Sequence, residues 1–204
     1  MLLDSSPGND AVEKVALFES MIKGETFAFF DVEDFELIIE YYLELDFKKK
    51  AKKALEIALE QYPIDLALTL IKIEFLNSSQ RFDESLKALN NLNKFHPNNI
   101  DVVLGLGRLY SLMENKPHAI KYLNHAHDLI LLDSSYNDHL HDLSYEFIQI
   151  GKFDSAIKVL KQILSFKTND ETVMMELGVA YHESGKFQES VNYFKEVIDG
   201  NPYS

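Results

Sequence analysis

Apolar side chains recur along this chain at three- and four-residue steps, stop, and then resume. Phe35, Ile38, Ile39 and Tyr42 form one such run, and Ala51, Leu55 and Ala58 form the next. That spacing puts each run on one face of an amphipathic helix, and the interruption predicts a turn followed by a second helix. The interruptions carry turn-prone residues: "NSSQ" at 77–80, "MENKP" at 113–117, "IG" at 150–151 and "SG" at 184–185. The pattern then repeats as a whole. Gly185-Lys-Phe187 stands 34 residues after Gly151-Lys-Phe153, and Tyr181, Ser190 and Phe194 fall on Phe147, Ala156 and Leu160. With three extra residues around "LLDSSY", the register continues through Gly107, Tyr110, Ala119 and Leu123. It reaches Ser85, Leu89 and Pro97, and then Tyr42, Ala51, Leu55 and Pro63. The units are 32–65, 66–99, 100–136, 137–170 and 171–204.

Helix starts follow the same period. Asp31, Asp65, Asn99 and Asp170 precede the first helix of their units, where a side-chain oxygen caps free backbone N–H groups. Pro117 is placed in the first turn of a second helix, the one helical position that tolerates proline. Helix 117–132 is expected to run about a turn longer than its counterparts. Ahead of the array, residues 1–9 read as a flexible tail. Residues 10–23 read as an amphipathic helix with Val12, Val15, Phe18 and Ile22 on one face and Gly24 as its C-cap. "TFAFF" at 26–30 is too apolar for a free loop and is expected to pack on the first repeat, so 10–31 forms an N-terminal cap.

This repeat resembles the tetratricopeptide repeat (TPR) family, whose 34-residue unit is a helix–turn–helix. The small residue the family places early in the second helix is Ala51, Ser85, Ala119, Ala156 and Ser190 in turn. The large apolar residue one turn later is Leu55, Leu89, Leu123, Leu160 and Phe194, and terminal prolines stand at Pro63, Pro97 and Pro202. The resemblance implies an all-α fold: a right-handed superhelical α-solenoid of five TPR units with an N-terminal capping helix. Ile39 and Ile73 replace a small residue of the first helix, which predicts wider helix spacing in those units. Lys72 and Thr69 occupy expected apolar positions, making 66–99 the weakest match. Ser204 falls where a further helix would be capped, so the array is expected to be truncated from a longer repeat protein.

Composition narrows the chemistry. The chain is 46% hydrophobic and 26% charged, which fits a folded protein. It has no cysteine, which removes thiolate catalysis, thiolate metal sites and disulfides. A net charge of −13 repels phosphate backbones, so no nucleic-acid partner is expected. No apolar run reaches bilayer length and no signal-peptide pattern opens the chain, so a cytoplasmic protein with no membrane partner is expected. Abundant Lys, Asn, Ile and Phe suit an AT-rich bacterial genome. Five histidines fall between His118 and His141. The pairs His125/His127 and His139/His141 are two residues apart and leave different sides of a helix, so they read as solvated surface residues. Without a metal motif, phosphate loop or nucleophile–base arrangement, no enzyme, catalytic residue, metal or cofactor is expected.

What remains is a surface. The family resemblance implies that the first helix of each unit lines a concave groove. The first unit offers Glu33, Glu36, Leu37, Glu40, Leu43 and Glu44; the second offers Leu70, Ile71 and Glu74. Asp101, Leu104 and Arg108 follow from the third, and Asp138, His141, Asp142 and Tyr145 from the fourth. Met175, Glu176, Val179 and Glu183 come from the fifth. Arg108 is the one permanently basic residue among them. Such a lining argues against the basic clamp with which some family members grip acidic chaperone tails. It favours a protein-interaction scaffold or adaptor holding a basic or amphipathic partner segment. The alternatives are self-assembly through an end face bearing Val191, Phe194, Val197 and Ile198, giving a homo-oligomer, or a regulatory domain of a larger protein.

Overall fold

The computed structural model describes residues 9–200. The expected tail, apart from Asn9, lies outside the described residues, as do Pro202 and Ser204. Among the described residues there are eleven α-helices and no strand. They are α1 (Asn9–Ile22), α2 (Val32–Glu44), α3 (Lys48–Gln61), α4 (Leu66–Ser78), α5 (Phe82–Phe95) and α6 (Ile100–Leu112). Then come α7 (Lys116–Leu132), α8 (Leu140–Gln149), α9 (Phe153–Phe166), α10 (Glu171–Glu183) and α11 (Phe187–Gly200), with a short 3₁₀ helix (Ser134–His139) before α8.

The period in the sequence is a period in backbone geometry. The side chains of Asp31, Asp65, Asn99 and Asp170 accept from the N–H groups of Asp34, Leu68, Val102 and Val173. Each cap satisfies a donor that the helix start would otherwise leave free. The first helices also end alike. Asp46, Gln80, Glu114, Gly151 and Gly185 each take a positive φ, between 56° and 77°. In each case the next residue's N–H reaches back to a carbonyl of the helix: Phe47 to Tyr42, Arg81 to Leu76, Asn115 to Tyr110, Lys152 to Phe147 and Lys186 to Tyr181. This is the Schellman closure, with the left-handed residue turning the chain into its second helix. α7 is 17 residues long against 14 for α9, which is the expected extra turn.

The chain divides into two compact units between Arg81 and Phe82, within the second repeat. The first unit buries Val15, Phe18, Phe30, Phe35, Ile38, Ile39 and Tyr42 against Ala51, Ala54, Leu55, Ala58 and Leu68. Phe18, Phe30 and Phe35 meet mostly edge to face with ring centroids 5.6–6.1 Å apart, the arrangement favoured by the ring quadrupole. The buried stripe of α1 is Ala11, Val15 and Phe18, whereas Val12 and Ile22 are exposed. The buried face is therefore rotated from the expected one, toward Ala11. Within "TFAFF" only Phe30 is fully buried; Phe27 and Phe29 face solvent.

The second unit buries a continuous row from Ile100 and Val103 on α6 to Leu177, Ala180 and Tyr181 on α10. Small residues bring its paired helices together. A Cβ at Gly107 would lie 2.6 Å from Leu123, and one at Gly178 would lie 2.3 Å from Phe194. Ser190 Oγ spans the α10–α11 approach by donating to the Gly178 carbonyl at 2.7 Å. His127 is buried and its Nε2 lies 3.1 Å from Gln162 Oε1, so it is a core histidine and not the solvated one its spacing suggested.

Candidate functional site

On α2 the positions 33, 36, 37, 40 and 44 advance by three and four residues, so one face carries all five side chains. Glu33, Glu40 and Glu44 are exposed, while Glu36 and Leu37 are half-buried. Asp65, at the start of α4, and Glu74, further along it, bring more negative charge to the same unit. Burial pushes the Glu36 carboxyl above the usual carboxylate range, and repulsion from Asp65, Glu33 and Glu40 adds to it. Among the described residues, Glu33, Glu36, Glu40, Glu44 and Glu74 make no salt bridge. Leu70 and Ile71 are half-buried on α4, with Ile71 packed against the core of the unit.

The second unit organises its charges differently. Arg108 of α6 is bound to α8: its Nε donates to Glu146 at 2.8 Å, and its Nη2 lies 3.6 Å from Asp142. Glu146 is buried, and its charged partner offsets the cost of taking the carboxylate out of water. Arg108 therefore brings little free positive charge to the surface. Leu104 is 7% exposed and belongs to the core, so it leaves the set of surface residues. Asp138 lies on the 3₁₀ helix and not on α8, because the three-residue insertion is taken up there. On α10, burial pushes the Glu176 carboxyl up, with Asp170 adding and His141 opposing. Tyr145, Met175 and Val179 expose apolar surface on α8 and α10. Asp101 and Glu183 are exposed on α6 and α10, and Asp101 stands 3.9 Å from His139.

Sequence reasoning missed Glu146. Its signal was its position one turn after Asp142 on the first helix of the repeat after the one that carries Arg108. Among the described residues, no group of three or more His, Asp or Glu side chains is placed to hold a metal ion. No helix there is long and apolar enough to cross a membrane. Between α10 and α11, Glu171, Thr172, Met175, Phe194, Val197 and Ile198 line a depression of about 410 Å³.

Helix–turn–helix units, each turned by the same Schellman closure and each with a small residue early in its second helix, define the tetratricopeptide-repeat fold. Residues 172–203 match the family model Tetratricopeptide repeat. The chain is similar to a crystal structure of MamA protein at 20% identity, covering 94% of this chain and 92% of that one with a TM-score of 0.55. A tetratricopeptide repeat protein from Parabacteroides merdae is 16% identical over 97% of this chain and 69% of its own, at a TM-score of 0.58. A Podosopora anserina kinesin light chain with nearly identical TPR-like repeats is 16% identical over 82% and 93%, at a TM-score of 0.66. At these identities the likeness establishes the fold. No curated protein matches the chain in sequence.

Proposed function

We propose that this chain is a non-catalytic protein-interaction scaffold that holds a basic or amphipathic segment of a partner protein on its acidic first-helix faces. The observation that carries the reading is the group of glutamates on α2 and α4 without cationic partners among the described residues. Like charges held together on one face cost stability, and a cationic segment laid across them removes that cost. Leu37, Leu70 and Ile71 supply apolar contact beside the carboxylates, which suits lysines and leucines at helical spacing. In the second unit, Tyr145, Met175 and Val179 offer the apolar part and Glu176 the charge.

The test is titration of the full chain with a labelled amphipathic peptide of lysine and leucine. Affinity should fall as salt rises, because screening at physiological ionic strength acts over about 8 Å. Changing Glu36, Glu40 and Glu74 to lysine should weaken binding at least about tenfold. Unchanged affinity and salt dependence in that variant would remove the proposal. The depression between α10 and α11, with Ile198 58% exposed, favours a second reading: self-association through this face. Sedimentation of the same samples decides it, since a strict monomer at high concentration rules self-association out.

A further inference from the structure

The first unit carries a second surface of opposite sign. Five of the chain's twenty basic residues, Lys48, Lys49, Lys50, Lys52 and Lys53, fall within the first six positions of α3. Three of the four matching helices, α5, α9 and α11, carry acids in their first turn: Asp83 and Glu84, Asp154, and Glu189; α7 carries none but is capped by Asn115. Acids suit the positive end of a helix dipole, and lysines oppose it. Phe47, at the N-cap of α3, makes no side-chain cap bond and the first turn holds no acid. Lys50 is neutralised by Glu19 at 2.6 Å, and Lys48 lies 3.2 Å from Asp46. Lys49, Lys52 and Lys53 have no salt-bridge partner among the described residues.

Lys49 and Lys53 stand over an open cavity, whose one carboxylate, Glu19, is the one paired with Lys50. Phe18 and Ile22 of α1 and Tyr42 of α2 wall a space of about 350 Å³, and Lys23, Lys49 and Lys53 stand at its rim. The space takes one large side chain with room to spare, and its walls are predominantly apolar. Lys48, Lys49 and Lys52 also border a second hollow, of about 500 Å³, with Leu43, Glu74 and Phe75. Lys49 belongs to both.

We propose that this lysine-rimmed cavity is a docking site for an acidic peptide segment of a partner protein, anchored by one bulky apolar side chain. The anchor packs against Phe18, Ile22 and Tyr42, and flanking carboxylates pair with Lys49, Lys53 and Lys23. Charge complementarity selects the occupant. A short segment meets only the local positive charge within about 8 Å, the screening length. An anionic bilayer, or a second copy of this chain, must approach a molecule of net charge −13 across a broad front. With the acidic face of α2 and α4, the chain would offer two surfaces that take partners of opposite charge.

The experiment is fluorescence anisotropy on the full chain with a labelled peptide of aspartate and glutamate around one central phenylalanine. Saturable binding is expected, weakened about tenfold when the peptide's phenylalanine is replaced by alanine. The double variant Lys49→Glu, Lys53→Glu should lose at least about tenfold in affinity. Ile22→Asp should lose a similar amount without altering a lysine. Both changes are on exposed side chains, and circular dichroism verifies that the helices are retained. Glu36→Lys should leave this affinity intact or raise it, so failure here is distinguishable from failure of the acidic face. Equal binding of the two peptides, indifference to both variants, or capture of phosphatidylserine vesicles in place of the peptide would each overturn the proposal. So would concentration-dependent dimerisation that the lysine variant abolishes.

Discussion

Ser85 and Ser190 stand at the same position of the repeat, both buried, yet their surroundings give them opposite signs in stability. Ser190 Oγ donates to the Gly178 carbonyl, whereas Ser85 Oγ has no hydrogen-bond partner among the described residues. A buried hydroxyl without a partner loses its hydration for nothing in return, and three other units hold alanine there: Ala51, Ala119 and Ala156. Ser85→Ala should therefore raise stability, by up to about 1 kcal/mol, while Ser190→Ala should lower it by about 1 kcal/mol. Urea denaturation midpoints measure both, and a shared sign would show that the hydrogen bond to Gly178 is not what separates them. The sequence announced the position and its demand for a small residue. Whether a hydroxyl there finds a carbonyl depends on how closely the two helices approach, and Gly178 permits that approach in α10.

At the scale of elements, α2 is an acidic helix whose charges are only partly solvated. Burial, with Asp65, Glu33 and Glu40 nearby, raises the Glu36 carboxyl above its unfolded value of 4.5. The folded chain therefore binds this proton more tightly than the unfolded chain does. Stability is gained as pH falls through the raised value, and the gain is complete below the unfolded value. At neutral pH both states are charged, and the group costs stability. Glu36→Gln should accordingly stabilise the protein at neutral pH and lose that advantage in acid, as thermal melts at the two conditions would show. Glu176 on α10 follows the same direction. A cationic partner favours the charged form, so its affinity should fall as these carboxyls protonate. The helices, their caps and their turns were legible in the sequence because each depends on residues within one turn of one another. The pairing of Arg108 with Glu146 and of His127 with Gln162 was not. Periodicity says which face a residue occupies, but not which partner 38 or 35 residues away will meet it.

At the scale of the whole molecule, the division at Arg81 and Phe82 falls inside a repeat, where the sequence fits its pattern least well. Ile73 fills the place that Gly107 and Gly178 hold in later units, and Lys72 and Thr69 stand where apolar residues are expected. A repeat array is stabilised by each unit and by its neighbour interfaces, so a weak unit separates cooperative blocks. The portion from Phe82 onward has the means to fold alone. Its core runs unbroken from Ile100 to Tyr181, and α5 lays Leu89 within 3.0 Å of a Cβ position at Gly105 on α6. Residues 82–204 expressed without the first 81 should keep helical circular dichroism and melt cooperatively. The full chain should then show two transitions, of which the fragment reproduces one. A fragment without helical signal, or a full chain that melts in a single step by several probes, would mean that stability is shared across the second repeat. In that case the acidic face of α2 and α4 could not be studied apart from the rest of the array.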